Sequence, residues 1–230
     1  MRIRPAKVAV VLAALLIFAG FVALGVWQVH RRTWKLALIA QVDARALAAP
    51  VAPPPPGAIV TAANDAYRRV VVRGVFRHDR ETLVRAATAL GSGYWVMTPL
   101  ETPTAVVLIN RGYVSPEQRT AHAKPPGVQT VTGYLRITEP GGGFLRSNDP
   151  AHDNWYSRDV AAIARARGVR AAPYFIDADR VGDAAPVGAL TVIAFPNNHL
   201  VYMLTWFALA GLTLVGLGVL FRQDRRKVAA

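Results

Sequence analysis

Residues 195–221 read FPNNHLVYMLTWFALAGLTLVGLGVLF, and from Leu200 onward this stretch contains no charged residue. The uncharged run is longer than the roughly 20 residues that a helix needs to cross the hydrocarbon core of a bilayer. It lacks the alternation of apolar and polar residues that a half-buried strand requires. The stretch therefore predicts a transmembrane helix over residues 197–221, and this helix opens with two asparagines and a histidine.

A second uncharged run extends from Val8 to Val29 and predicts another transmembrane helix over residues 8–29. The alternative is a secretory signal, because basic residues precede the run. However, the run exceeds the 7–15 residues of a signal's apolar region, and no small-residue cleavage site follows it directly. We therefore expect an uncleaved anchor. Small residues such as Ala19 and Ala23 are expected to help the two helices pack together.

The basic residues at the ends of the chain predict its orientation. Residues 1–7 and 222–230 are both rich in Arg and Lys, and such flanks stay in the cytoplasm. The basic residues of segment 31–35 favour the opposite orientation, but a long domain translocates largely regardless of charge. We expect a two-pass protein of the inner (plasma) membrane, in contact with the lipid bilayer, with both tails cytoplasmic and the central domain periplasmic.

Between the helices the chain divides into a linker, residues 30–56, and a domain, residues 57–196. The first helix is expected to continue past the bilayer to about Ala48, because apolar residues recur at near-helical spacing. The segment VAPPPPGA (51–58) then ends the helix and acts as a stiff spacer, since proline lacks the backbone donor that a helix needs.

The domain itself consists of short β-rich runs bounded by Gly, Pro and Asp clusters, which predict an antiparallel sheet or a small barrel. Short helices are expected at SPEQRTA (115–121) and at Asp159–Arg167. The predicted fold class is an α+β membrane protein with two transmembrane helices flanking a β-rich antiparallel periplasmic domain. The predicted strands are YRRVVVRGVF (67–76), ETLVRA (81–86), YWVMTPL (94–100), AVVLINRGYV (105–114), TVTGYLRI (130–137), PYFID (173–177) and TVIAF (191–195).

The composition excludes several classes of function. The chain contains no cysteine, which excludes disulfides, thiolate catalysis, iron–sulfur clusters and cysteine-ligated copper. The net charge is +13 and the isoelectric point is about 11.0. Part of that charge lies on the two tails, and the rest is scattered rather than arranged as a stripe. With the central domain predicted outside the cytoplasm, this argues against nucleic-acid binding.

His199 is the candidate functional residue, because it stands in the first turn of the second predicted helix. The positive end of a helix dipole disfavours imidazolium and so favours neutral imidazole, the form that binds metals. His199, Tyr202, Met203, Trp206 and Ala210 share one face of the helix. Such a face could receive a flat, apolar ring that carries a metal, with His199 as axial ligand. The alternative is an interfacial histidine bonded to backbone or water, and the spacing leaves both interpretations open.

His30 lies at a similar depth at the end of the first predicted helix. It could share one iron with His199, or it could be a surface histidine among arginines. Three other polar segments carry weaker signals: GSGYW (91–95) predicts a turn, RHDRE (77–81) a charged hairpin turn, and DPAHDNW (149–155) a solvated loop. Ser92 lacks the nucleophile elbow of hydrolases, and no metalloprotease or nucleotide-binding pattern occurs. We therefore predict a protein that is not an enzyme.

Six segments along the chain share a pattern with known proteins: GVWQVHRRTWK (25–35), GYWVMTPL (93–100), VLINRGYV (107–114), GYLRITEPGGGFLRSNDP (133–150), NWYSRDVAAIA (154–164) and NNHLVYMLTWF (197–207). Together they resemble the Surfeit locus protein 1 family of cytochrome c oxidase assembly factors. The first is similar to the Gly-x-Trp-Gln-x-x-Arg segment that closes the first span in that family, and the others follow in the same order. The resemblance covers nearly the whole chain, although the polyproline stretch and residues 177–189 match nothing in the family pattern.

The resemblance implies a two-span inner-membrane protein that assists the assembly of haem–copper oxidases. Members of the family are thought to receive haem a and to help place it in the oxidase's catalytic subunit. The proposed ligand is the histidine that opens the second span, and His199 occupies that position. The resemblance thus implies haem a as transient cargo, with Tyr202, Met203 and Trp206 beside His199. The family pattern has no histidine where His30 stands, so the resemblance adds nothing for that residue.

The leading prediction is a haem chaperone, and its expected partners are the oxidase catalytic subunit and haem a synthase. Arg111 and Arg136 are candidates for pairing with the haem propionates, because guanidinium binds carboxylates bidentately. The alternative for both is a structural ion pair with Asp or Glu. Two rival functions remain: a haem-free scaffold that stabilises an assembly intermediate, and a membrane-anchored envelope hydrolase, which would need an activated Ser92.

Overall fold

The computed structural model describes residues 5–143, 145–182, 184–193 and 195–229. Arg2 and Arg4, on which the predicted orientation partly relies, lie outside the described residues, as do the side chains of the basic residues in segment 225–227. The chain divides into two units: residues 1–41 together with 194–230, and residues 42–193.

The first unit is formed by two long helices, α1 (Pro5–Leu47) up to residue 41 and α4 (His199–Ala229). Each is long and apolar enough to cross a membrane, as judged by length and composition. Most of their apolar side chains are exposed, which would be costly in water and is the normal condition of a helix in lipid. The predicted continuation of the first helix to about Ala48 is confirmed, and prolines follow it at residues 50 and 53–56.

The two helices contact each other along one face of α1. Phe21 stacks on Trp206 with 5.7 Å between ring centroids. One turn further along, Gly25 is buried against Phe207, and a Cβ added to Gly25 would lie 2.6 Å from that ring. Ala19 and Ala23, the expected contact residues, are exposed. This expectation was wrong because residues 21, 25 and 28 share a helical face, whereas residues 19 and 23 point elsewhere.

In its described residues the second unit contains six strands and two short α-helices. The strands are β1 (Arg69–Phe76), β2 (Thr82–Thr88), β3 (Gly91–Glu101), β4 (Val106–Val114), β5 (Val128–Ile137) and β6 (Ala171–Ala178). The helices are α2 (Ala62–Asp65) and α3 (Val160–Ala166). Asp159 caps α3 by accepting a hydrogen bond from the Ala162 N–H, so the helix predicted at Asp159–Arg167 is confirmed.

Five of the strands form a closed ring in the order β1–β5–β6–β4–β3, and β3 returns to pair with β1. Strand β2 pairs with the first half of β3, outside this ring. The prediction of a small barrel is therefore confirmed, but the sheet is not purely antiparallel, since β4 and β6 run parallel. The chain between β4 and β6 passes through β5 and α3, so this parallel pair is joined by a long crossover rather than a tight hairpin.

Four local predictions were wrong. Residues 115–121 form turns and bends instead of a helix; the Ser115 hydroxyl accepts a bond from the Gln118 N–H. No strand forms in the described part of TVIAF, residues 191–193 and 195. GSGYW is not a turn, because the turn falls at residues 89–90 and residues 91–95 already belong to β3. RHDRE contains a single 3-10 turn, His78–Arg80, between strands that do not pair with each other.

Apolar side chains alternate between the inside of the barrel and an outer core beneath α3. On β4, Val107 and Ile109 point into the barrel, whereas Leu108 joins the outer core. On β6, Ile176 points inward, and Phe175 packs outward with Trp155. Both faces of these two strands are therefore buried, and their sequences read as nearly continuous apolar runs.

Barrel closure depends on a glycine. Val75 and Phe76 of β1 pair with the end of β3, and a Cβ on Gly74 would lie 2.2 Å from the carbonyl oxygen of Glu101. That oxygen belongs to the backbone, so the strands must separate to admit a methyl group. Closure at this point thus requires a residue without a side chain.

We expect Gly74→Ala to lower the free energy of unfolding of the barrel by about 1–3 kcal/mol, as overpacking usually does. Thermal unfolding of the full chain in detergent, followed by tryptophan fluorescence, measures the effect. Gly143→Ala is the matched control, because a Cβ at Gly143 meets its nearest neighbour at 3.4 Å, an ordinary contact. Equal unfolding temperatures for both variants would contradict the closure argument.

Candidate functional site

His199 is the first residue of α4 and is half-buried. Its Nδ1 lies 2.7 Å from Oε1 of Gln28 on α1. The amide oxygen can only accept, so the Nδ1–H of His199 donates this hydrogen bond. Among the residues that the structure describes, Nε2 of His199 has no hydrogen-bond partner. The imidazole is therefore held by one nitrogen, and in the neutral form of the ring the other nitrogen carries the lone pair.

Gln28 belongs to the site although the sequence analysis gave it no role. Its side chain is 7% exposed, and it follows Phe21 and Gly25 on the face of α1 that contacts α4. A buried amide in apolar surroundings is costly unless it is hydrogen-bonded. The signal was available in principle, because Gln28 is a polar residue inside the uncharged run.

The other predicted site residues do not share one open surface. Tyr202 is 55% exposed, whereas Met203 and Trp206 are half-buried. Trp206 stacks on Phe21, and Ala210 further along the same face is buried. Much of the stripe therefore faces α1 rather than the outside of the helix pair. His199 and Tyr202 lie at its more accessible end, and a site role for these residues stays a prediction.

His30 is exposed and lies two residues beyond Gln28, so it points away from the helix contact. Among the described residues of α1, the group that hydrogen-bonds to His199 is the Gln28 amide. The geometry therefore favours the surface interpretation of His30 over a shared iron. Asn197, just before α4, has a buried Oδ1 without a hydrogen-bond partner among the described residues. A polar atom is thus left unsatisfied close to His199.

The β-rich unit contains a buried polar network centred on Asp177 at the end of β6. Its carboxylate accepts hydrogen bonds from Asn110 (2.8 Å), Arg136 (2.7 Å), Arg158 (3.1 Å) and Thr191 (2.8 Å). The network lines a cavity of about 220 Å³. Each charged side chain in the network is paired, so we interpret the network as one that stabilises the fold.

Arg158 shows how the network balances burial against charge. Burial opposes the charged guanidinium, but the carboxylates of Asp177 and Glu139 outweigh it, so the pKa of Arg158 lies above its ordinary value. The guanidinium also lies over the Phe175 ring, 4.8 Å from its centroid. The network therefore attaches the segment before α3 to the outer core of the barrel.

Arg111 belongs to a second buried cluster. It donates to Glu81 at 3.3 Å, and Glu81 also bonds the ring of His122 at 2.8 Å. Burial lowers the pKa of Arg111 from its ordinary value, although Glu81 partly offsets the effect. Arg111 and Arg136 are thus both engaged in ion pairs with acidic residues. This favours the structural alternative over pairing with haem propionates.

The remaining candidates show no catalytic arrangement among the described residues. Ser92 forms no hydrogen bond to a histidine; its carbonyl accepts one from the Tyr113 hydroxyl. The segment DPAHDNW forms local bonds, including His152 to Asp149 at 2.7 Å. Within the described part of the chain, no group of three or more His, Asp or Glu side chains could hold a metal ion.

We expect Asp177→Ala to destabilise the β-rich unit by about 3–5 kcal/mol, because two largely buried guanidiniums lose their shared carboxylate. Thermal unfolding of the full chain measures the loss. Asp79→Ala is the control, since it removes an ion pair at an exposed position and should leave the unfolding temperature nearly unchanged. A mild effect of Asp177→Ala would show that the network does not hold this part of the fold.

Comparison with known proteins agrees with the resemblance noted in the sequence. The model of the SURF1 family matches residues 15–211. Surfeit locus protein 1 of Mus musculus is 35% identical, over 86% of this chain and 71% of its own length. The human Surfeit locus protein 1 is also 35% identical, over 83% and 70%, respectively. A SURF1-like protein of Drosophila melanogaster is 34% identical, over 86% and 73%. The chain therefore belongs to the SURF1 family.

Proposed function

We propose that this protein assists the assembly of haem–copper cytochrome c oxidase by holding haem a and presenting it to the catalytic subunit. Membership of the SURF1 family supports the role in oxidase assembly. The proposed cargo is held by His199 as axial ligand, beside Tyr202, Met203 and Trp206. Haem a synthase is the proposed donor of the cargo, and the role is not enzymatic.

The proposal places α1 and α4 across the inner membrane with both tails in the cytoplasm and the β-rich unit in the periplasm. Two helices of sufficient length and apolar character support this placement. His199 then lies at the periplasmic end of α4, where an apolar ring can lie against lipid and helix while its carboxylates remain near water.

The observation that carries the proposal is the state of the His199 ring. Gln28 accepts the Nδ1–H, so in the neutral form of the ring the lone pair lies on Nε2. Histidines that ligate metals commonly donate their other N–H to such a partner, which fixes both the tautomer and the ring orientation. No other described residue occupies Nε2, so the ring could bind iron without breaking an existing hydrogen bond.

A single protein ligand also suits a carrier that must release its cargo. His30 points away, and Trp206 is engaged with Phe21. The proposed site therefore supplies one coordinate bond and one accessible aromatic side chain, Tyr202, rather than a closed cage. Transfer to a site with stronger ligation is then favourable, because the carrier retains the cargo only weakly.

We expect the full chain, purified from cells that make haem a, to show a Soret band that His199→Ala abolishes. The reason is the loss of the only proposed axial ligand. His30→Ala is the matched control and should leave the band unchanged, because His30 is exposed and faces away from Gln28. A colourless wild-type protein that still co-purifies with the oxidase catalytic subunit would contradict the haem-binding proposal and favour the scaffold alternative.

Gln28→Leu should weaken haem a binding by about 10- to 100-fold, the usual effect of removing the partner of a ligating histidine. Gln28→Glu keeps an acceptor for Nδ1–H and should bind haem far better than Gln28→Leu. The ¹⁵N chemical shifts of His199 in the haem-free protein report the tautomer directly, and the preference for a proton on Nδ1 should be lost only in the leucine variant. Equal haem affinity in both variants would show that Gln28 does not position the ring.

A further inference from the structure

A cleft of about 350 Å³ lies beside the hairpin of β2 and β3, away from the Asp177 cavity. Its walls include Arg85 and Tyr94 from the two strands, and Arg146 and Tyr156 from the segment between β5 and α3. Small residues such as Ala87 and Gly93 form part of the surface between them. Among the described residues that line the cleft, none is acidic.

Tyrosine rings hold the arginines at this cleft. Arg85 and Arg146 each lie 5.5 Å from the centroid of the Tyr156 ring, so two guanidiniums share one tyrosine. Arg119 lies 5.2 Å from the centroid of Tyr94. Stacking on a ring restrains a guanidinium while leaving its N–H donors free for a ligand. The three arginines are exposed, whereas the two tyrosines are half-buried.

These guanidiniums differ from the paired arginines of the same unit. Arg136 and Arg158 are bound by carboxylates, but in the part of the chain that the structure describes no acid lies within ion-pair distance of Arg85, Arg119 or Arg146. Glu117 is close in sequence, and a hydrogen bond with Ser115 lowers the pKa of its exposed carboxyl, but among the described residues it forms no ion pair with these arginines. The cleft therefore concentrates positive charge that the protein itself does not neutralise.

The composition of the cleft is typical of a protein–protein contact. Tyr and Arg are enriched at the centres of such interfaces, while Lys, Glu and Asp are depleted. A bare phosphate site would need only the guanidiniums, whereas this cleft adds two tyrosine faces and small apolar residues. A segment of polypeptide offers both carboxylates for the arginines and apolar atoms for the rings.

We infer that this cleft binds an acidic segment of a protein partner, with Asp or Glu carboxylates accepting hydrogen bonds from Arg85, Arg119 and Arg146. Tyr94 and Tyr156 contact the apolar parts of the same segment. The inference stands apart from haem binding, because none of its residues belongs to the His199 site. It assigns the β-rich unit a surface for partner recognition.

The test measures the fluorescence anisotropy of a short labelled peptide rich in Glu and Tyr, titrated with the full chain in non-ionic detergent. A peptide with Gln in place of Glu should bind at least about tenfold more weakly, since it lacks the charge. The triple variant Arg85→Gln, Arg119→Gln, Arg146→Gln should weaken binding of the Glu peptide by at least about tenfold. Added salt should weaken the wild-type complex in the same direction.

The matched control is Arg73→Gln, Arg165→Gln, Arg170→Gln, which removes the same charge from exposed positions outside the cleft. It should leave the affinity within about twofold of wild type, because screened charges at a distance contribute little. Equal losses in the two triple variants would overturn the inference in favour of general attraction. Tripolyphosphate that displaces the peptide and itself binds more tightly would reassign the cleft as a phosphate site.

Discussion

A polar group surrounded by apolar groups must have a partner, and both parts of this protein are organised around that requirement. In the helical unit the buried amide of Gln28 meets it by accepting a bond from His199. In the β-rich unit the buried carboxylate of Asp177 meets it with four donors. The two solutions differ in one respect. Asp177 is enclosed by its partners, whereas His199 uses only one nitrogen and keeps the other available.

That difference distinguishes the structural network around Asp177 from the candidate functional residue His199. A fully satisfied network rigidifies its surroundings and offers nothing to a ligand. A half-satisfied imidazole is oriented but still reactive, which is the condition that a metal ligand needs. The cleft at Tyr94 and Tyr156 follows the same logic on a surface, because stacking restrains the guanidiniums without using their hydrogen-bond donors.

The sequence carried enough information to predict the architecture, because its strongest patterns are long or repetitive. The two uncharged runs are recognised by their length, and the strands and the helix after Asp159 by a periodicity that survives any tertiary arrangement. The parallel pairing of β4 and β6 and the role of Gln28 depend on which residues meet across the fold, and periodicity does not contain that information. The stripe on α4 was misplaced for a related reason. A face that suits a ligand also suits a neighbouring helix, and Phe21 occupies part of it.

The contact between Gly25 and Phe207 limits how the sequence of the two helices can vary. The ring of Phe207 fills the space where a side chain would stand, one turn from the bond between Gln28 and His199. A larger residue at position 25 forces that ring to move, which alters the contact between the helices. The distance between the helices in turn determines whether the Gln28 amide reaches His199. Among natural variants, positions 25 and 207 should therefore covary in size, with bulk gained at one and lost at the other. The need to hold His199 in place would then restrict side-chain size at two positions that have no chemical role themselves.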